Sequence, residues 1–435
     1  MRTANPLTTG TTSLPSAIDT PYYVKAWALG VPAYLIGVHL WTWVLTAAVF
    51  LQGAADFRSF YAGGWAVRLG QASELYDLDS QQRLQDLHVG SKGITLPFTH
   101  PPFEALLFEP LSRLDYRHAY LLFLLLNIGV LSLTFWLFRP WMRNLSRIYW
   151  WLPLALFLAF LPVAAALLQG QDSLLLLSLL AGAAVALDRN SDGTAGLLVG
   201  LGLFRFQLTL PIALVFLLWR RWRFLAGFTV AGMVLAGLSV WLMGASVLSY
   251  PRTLLNLSLR FQSPLNQAKY AAPVPVAMMP NVRGLIVGMT HTSGFWLHAL
   301  LLVISSALLW LAARVKTEGR DSLLLAIAVS VPISYHLLIH DLSVLLLPLV
   351  VALDKVGESE TSGESQDRLA VRLAVAAFIA PLLISYAPDH FWAACIPLLA
   401  FAIIQCVSEN NKTVHPDIGH VGLSFAQSNP TPKDA

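Results

Sequence analysis

Apolar runs long enough to form buried or membrane-crossing helices alternate along this chain with short polar breaks. Trp27 to Leu51 contains no Asp, Glu, Lys or Arg. Such a run, as a helix, crosses the roughly 30 Å hydrocarbon layer of a bilayer. Further runs follow at Ala119–Phe138, Trp151–Leu168, Ser173–Leu187, Ala195–Trp219, Phe224–Met243, Trp296–Ala313, Ser322–Leu338, Ser343–Leu353, Val371–Tyr386 and Phe391–Cys406. They predict an all-α polytopic membrane protein with about twelve helical segments. The stretch 52–118 is mixed in charge and reads as a long first outer loop. Within it, Phe60–Leu69 and Asp79–Leu87 have the pattern of short amphipathic helices. Thr99–Leu114 is apolar but short and bounded by prolines, as expected of a partly embedded helix.

The basic residues orient these segments. Arg139, Arg143 and Arg147 follow one run with no acid among them, and RVKTEGR (Arg314–Arg320) follows another, so both loops are expected in the cytoplasm. Arg220, Arg221 and Arg223 belong there too, yet a simple crossing by Ala195–Trp219 would put them outside. A re-entrant pair of short helices with Arg205-Phe206-Gln207 at its tip removes the conflict. The expected layout is a cytoplasmic tail 1–26, a transmembrane domain 27–406 with outer loops near 52–118 and 244–293, and a disordered cytoplasmic tail 407–435. Asp354–Arg368 reads as a solvated cytoplasmic loop, and the first run as an uncleaved signal anchor.

Composition narrows the class. The chain is 56% apolar and only 12% charged, against about a quarter charged in ordinary soluble domains. A net charge of +4 without basic clusters outside the loops gives no reason to expect nucleic acid as a partner. Cys395 and Cys406 both lie in the last apolar run and suggest neither a disulfide framework nor a metal cluster. No glycine-rich phosphate loop follows a strand, which argues against a nucleotide donor, and no cofactor is expected.

The candidate chemistry gathers at the boundary opposite the basic loops. Asp56, at the end of the first run, is placed to deprotonate a hydroxyl at the membrane edge or simply to mark a helix end. His336 and His340 are four residues apart and would share a helix face beside Asp341. A zinc site there would want a Glu between the histidines, which is missing, so no metal is expected. His336 and His340 are read as contacts to a donor phosphate, or as caps of a turn. Arg205 would bind the phosphate or pair with Asp172 or Glu104. His100 before Pro101-Pro102, together with Glu104, Gln171, Asp172 and Asp341, could line a sugar or acceptor site. Each is equally at home in a turn, a polar hairpin or a headgroup-facing surface. Asn256-Leu257-Ser258 fits the glycosylation pattern, a frequent chance match.

DFRSFYAGGWAV after the first run, LYDLDS (75–80), THPPFEALLFEPL (99–111), LLQGQDSLLLL (167–177), AGLLVGLGLFRFQLTLP (195–211), PNVRGLI (280–286) and SYHLLIHDLSVLLLPL (334–349) together resemble glycosyltransferase family 87. That GT-C-type family includes bacterial polyprenyl-phosphate-mannose-dependent mannosyltransferases. His100 stands where the family often has an aromatic, and Arg205-Phe206-Gln207 where a lysine is common. The resemblance implies a GT-C-like bundle in a bacterial inner membrane that moves mannose or another hexose from a polyprenyl-phosphate donor to a lipid-linked or glycan acceptor. The site would face outward, and transfer would invert the sugar. Asp56 matches the family's catalytic carboxylate. The competing readings are a transporter or flippase of a lipid-linked saccharide, and a lipid-binding assembly protein with a dead site.

Overall fold

A computed structural model of the chain describes residues 22–90, 94–253, 270–271, 274–356 and 365–414. The described residues are helices and connecting loops, with one isolated bridge between Thr95 and Tyr270. Among the described residues, seven helices are long and apolar enough to cross a membrane, or eight if the bent pair Leu152–Ala159 and Leu161–Gln169 forms one span. Ser173–Asp188 and Gly319–Ile333 are shorter helices, and both are packed inside the bundle. The glycosylation pattern at 256–258, Arg260, Lys269, most of the amino-terminal tail and the tail beyond 414 lie outside the described residues.

The bend of 59° in the first pair has a local cause. Pro162 has no N–H and its ring crowds the carbonyl four residues back, so the helix breaks at Phe160. The carbonyl thereby released, that of Leu158, lies 3.1 Å from Nδ1 of the buried His39 on the first long helix. A buried polar side chain thus replaces the lost backbone bond, as apolar surroundings require.

Asp192–Leu218 qualifies as a span by length and composition, and as a straight helix its 27 residues would reach about 40 Å. Its two ends nevertheless meet. Arg221, just past the end, pairs with Asp192 at 3.0 Å, and the ring of Phe216 stacks on that of Phe224 at 3.7 Å. The segment therefore folds back on itself as Asp192–Leu201, a tight turn Gly202–Arg205, and Phe206–Leu218. The arginine cluster at 220–223 so returns to the side the segment left, as the charge pattern required. Glycines permit the close packing that follows. A Cβ at Gly196 would stand 1.8 Å from the carbonyl oxygen of Phe224, and one at Gly227 would stand 2.0 Å from that of Gly193. Asp192–Leu201 and Trp222–Met243 consequently run side by side, backbone against backbone.

All three basic loops share one end of the bundle. Arg320 reaches Asp188 at 3.7 Å and lies over the Trp141 ring at 4.8 Å. The Trp219 indole donates to the carbonyl of Ala312 at 2.9 Å, and the Leu145 amide donates to Asp354 at 2.9 Å.

The opposite end is covered by an aromatic module from the stretch after the first long helix. Phe57–Arg68 and Leu78–His88 are its helices, close to where the sequence placed them. Thr99–Leu114 is not a single embedded helix: Pro102 and Pro110 divide it into short turns whose Phe103, Phe108 and Leu111 are buried in protein. Phe57 sits among Tyr61, Phe108, Tyr116, Tyr120 and Phe123. Gly64 lets the Phe57–Arg68 helix meet the Phe108 carbonyl, where a Cβ would stand 2.4 Å away. Tyr120 donates to the Leu168 carbonyl at 2.6 Å, tying this module to the turn at 169–172.

Candidate active site

Three chain breaks bring the polar residues together. The first long helix loosens over Phe50–Ala54, where Gly53 takes φ 101°, and Asp56 follows immediately at the start of Phe57–Arg68. Leu161–Gln169 ends on Gly170 at φ 62°, a left-handed position that glycine adopts without a Cβ penalty. Gln171 and Asp172 project from that turn. The tip of the folded-back segment supplies Arg205.

A continuous chain of contacts links them. Gln171 Nε2 donates to Asp56 Oδ2 at 2.7 Å, while Gln171 Oε1 accepts from Arg205 Nη2. Arg205 Nε donates to Asp172 Oδ1 at 2.8 Å, and Nη1 lies 3.3 Å from Asp341 Oδ1. His340 Nε2 stands 3.7 Å from the same Asp341 oxygen. Beyond Asp172 lie Glu104 and His100, whose Nδ1 is 3.0 Å from Glu104 Oε2. Tyr76 donates to the His100 carbonyl at 2.6 Å, and the Phe60 ring lies 4.7 Å from the imidazole. His336 is within electrostatic reach of Asp341, His340, Arg205 and Arg283. All nine residues singled out from the sequence therefore gather at one place.

Their depths differ. Glu104 and Asp341 are 0% exposed, Asp172 and His340 2%, Gln171 and Arg205 4%. Asp56, His100 and His336 are only partly buried. The first six form a closed polar core, and Asp56 and His336 form its accessible rim.

Burial pushes Glu104 well above the usual carboxylate range, and the neighbouring Asp172 adds to this. Burial pushes Asp172 up as well, but the Arg205 guanidinium outweighs it and the carboxyl is held low. His100 is pushed down to about 3, by burial first and then by Arg205. Between two neighbouring acids, Glu104 is thus the one that keeps a proton.

One expectation is corrected. His336 and His340 do not share a helix face, because Gly319–Ile333 ends before them and residues 334–339 are not helical. Asp341 instead turns back to accept from the Leu338 amide at 2.9 Å, which starts the next helical turn. Of the two alternatives left open for Glu104, the headgroup-facing one is excluded, since the side chain is 0% exposed.

Sequence reasoning passed over Arg58, whose buried Nε has no partner and which lies in the field of Asp56 and Tyr116. Its place two residues after Asp56 in DFRSFY was the available signal. Tyr250 was passed over as well: its ring is 5.2 Å from that of Tyr76 and its buried hydroxyl has no partner. Asn281 accepts from the Gly284 amide and donates to the Ser334 carbonyl at 2.8 Å. It fastens the helix Val282–Thr290 to the histidine turn, and Arg283 of that helix lies 4.1 Å over the Tyr335 ring.

The model of glycosyltransferase family 87 matches residues 98–340. The chain belongs to glycosyltransferase family 87. No curated protein and no solved structure matches it. The matched residues include His100, Glu104, Gln171, Asp172, Arg205, His336 and His340, while Asp56 and Asp341 lie outside them. Asp56, Arg58, His336 and Arg283 stand at the rim, whereas Arg205 is engaged by two carboxylates.

Proposed function

We propose that this family 87 member transfers a hexose, mannose among the candidates, from a polyprenyl-phosphate donor to a lipid-linked or glycan acceptor, with inversion, in a GT-C-like bundle. Asp56 is the general base. The observation that carries this reading is the position of Asp56, partly exposed at the end of the first long helix and oriented by Gln171 at 2.7 Å. The acceptor hydroxyl gives its proton to Asp56 as its oxygen bonds to the anomeric carbon. The bond from that carbon to the phosphate oxygen breaks, and polyprenyl phosphate leaves.

The leaving phosphate gains negative charge and needs cations that are free to meet it. Arg283 suits this role better than Arg205, which holds Asp172 and Asp341, and His336, whose burial favours the neutral ring, can add a hydrogen bond. Arg205 acts instead as the internal countercharge that fixes Gln171, and through it Asp56. His100, Glu104 and Asp172 support the acceptor side from beneath. A polyprenyl donor fits because the rim lies at the end of apolar helices and the chain has no nucleotide-binding domain fold among its described residues. The basic loops at the opposite end favour an outward-facing site under the positive-inside rule. Polar groups massed at one end, not at the midplane between repeats, weigh against a transporter.

The test pairs rate with stability. Purified protein is given radiolabelled polyprenyl-phosphate mannose and a mixed glycan acceptor. Asp56→Asn should lower turnover by about 10² or more, with an unchanged melting temperature. A folded Asp56→Asn protein that keeps more than about a tenth of the rate would remove Asp56 as the base.

A further inference from the structure

Beneath the rim, His100, Glu104 and Asp172 converge in a way that the contacts with Arg205 do not account for. One nitrogen or oxygen from each lies within 4.8 Å of the other two. Both Glu104 oxygens, Asp172 Oδ2 and His100 Nδ1 are closed off from solvent, and without a metal the one hydrogen bond open among them is a proton shared by Glu104 and Asp172. The 3.0 Å approach of His100 Nδ1 to Glu104 Oε2 is thus a close contact without hydrogen-bond geometry. Buried polar atoms left this way are costly and rare in native proteins.

Charge points in the same direction. Three enclosed carboxyl groups, Glu104, Asp172 and Asp341, surround one guanidinium, so a doubly charged cation that displaced the proton held by Glu104 would bring the cluster to neutrality. We propose that His100, Glu104 and Asp172 hold a divalent transition-metal ion, Mn²⁺ or Zn²⁺. An imidazole with two carboxylates suits these ions better than Mg²⁺ or Ca²⁺, which prefer oxygen alone. Bonds of about 2.0–2.2 Å bring three ligand atoms to about 3.3–3.8 Å from one another, so the cluster would close by about 1 Å from its observed spread of up to 4.8 Å. Asp172 would use Oδ2 for the ion and keep Oδ1 on Arg205, while Tyr76 holds the His100 backbone. Through Asp172, Arg205 and Gln171 the ion would stiffen the support of Asp56. The binding claim stands apart from the transfer reaction, and its test needs no substrate.

The full chain in detergent micelles is stripped with EDTA and titrated with MnCl₂ or ZnSO₄. One ion per chain should bind saturably with one of the two metals and raise the melting temperature. With Mn²⁺, pulsed electron paramagnetic resonance should show coupling to an imidazole nitrogen. His100→Phe should abolish that coupling, and Glu104→Gln should weaken binding at least about tenfold. Asp115→Asn, an exposed carboxylate outside the cluster, should bind as the wild type does. Wild-type protein that takes up neither ion and melts unchanged overturns the proposal, whether or not the variants fold. So does a Glu104→Gln protein with wild-type affinity, or one that melts higher than a wild type that binds no metal, since a proton on Glu104 would then be the answer.

Discussion

The two ends of the bundle handle arginine in opposite ways. At the basic end, Arg221 and Arg320 each meet an aspartate with side chains about a quarter exposed, and several other arginines stand nearby. At the other end a single arginine, Arg205, is enclosed with Asp172, Asp341 and Gln171. Water screens the first kind of pair, so it contributes little beyond orienting the chain in the membrane. The second kind has no water to fall back on, so each partner depends on the others. Screened and enclosed arginine pairs thus occupy separate ends of one bundle.

The sharpest way to break this contrast is to remove the enclosed cation. Arg205→Leu leaves buried carboxylates without their countercharge, and the expected loss is about 3–5 kcal/mol, read as a large fall in melting temperature or in folded yield. A variant that melts like the wild type would mean that protons, not Arg205, keep the cluster neutral. Next in size is Gly196→Ala, where a new Cβ meets the Phe224 carbonyl. Overpacking of this kind costs about 1–3 kcal/mol. The transfer rate should fall by more than the lost stability explains, because the hairpin that carries Arg205 must shift. Equal losses in rate and folded fraction would remove that link. The smallest effect is expected at the basic end: Arg221→Gln should change stability by less than about 1 kcal/mol and leave transfer intact. A larger fall would show that this pair anchors the hairpin.

Much of this contrast was legible from residue order. The fold-back at 192–218 followed from a conflict between hydropathy and charge, since Arg220, Arg221 and Arg223 had to share a side with Arg314–Arg320. Asp56 was found because it follows an uncharged run. The partners of Arg205 were narrowed to Asp172 or Glu104 but not settled, and Asp341 was not foreseen as one. Contacts between residues so far apart in sequence are set by packing that no local pattern encodes. The histidine turn was misread because spacing of four implies a shared face only inside a helix, and the helix stops at Ile333. For Glu104 the choice between a site carboxylate and a headgroup-facing one stayed open, because amphipathicity registers polarity without showing what covers it; the side chain is fully enclosed. The expectation of about twelve helical segments exceeds the seven or eight helices that have the length of a span. The shorter ones are sheltered by neighbours and need not reach across on their own.

The hairpin that delivers Arg205 is gripped at its base, where Asp192 meets Arg221 and Phe216 stacks on Phe224. Its reach from there to the tip is about 20 Å. It is therefore a lever with its fulcrum at the basic end, and a tilt of about three degrees there would carry the guanidinium about 1 Å. Displacement on that scale in a catalytic assembly can cost about 10² in rate. Side chains at the basic end of the bundle thereby set how accurately the guanidinium meets Gln171, and through it Asp56.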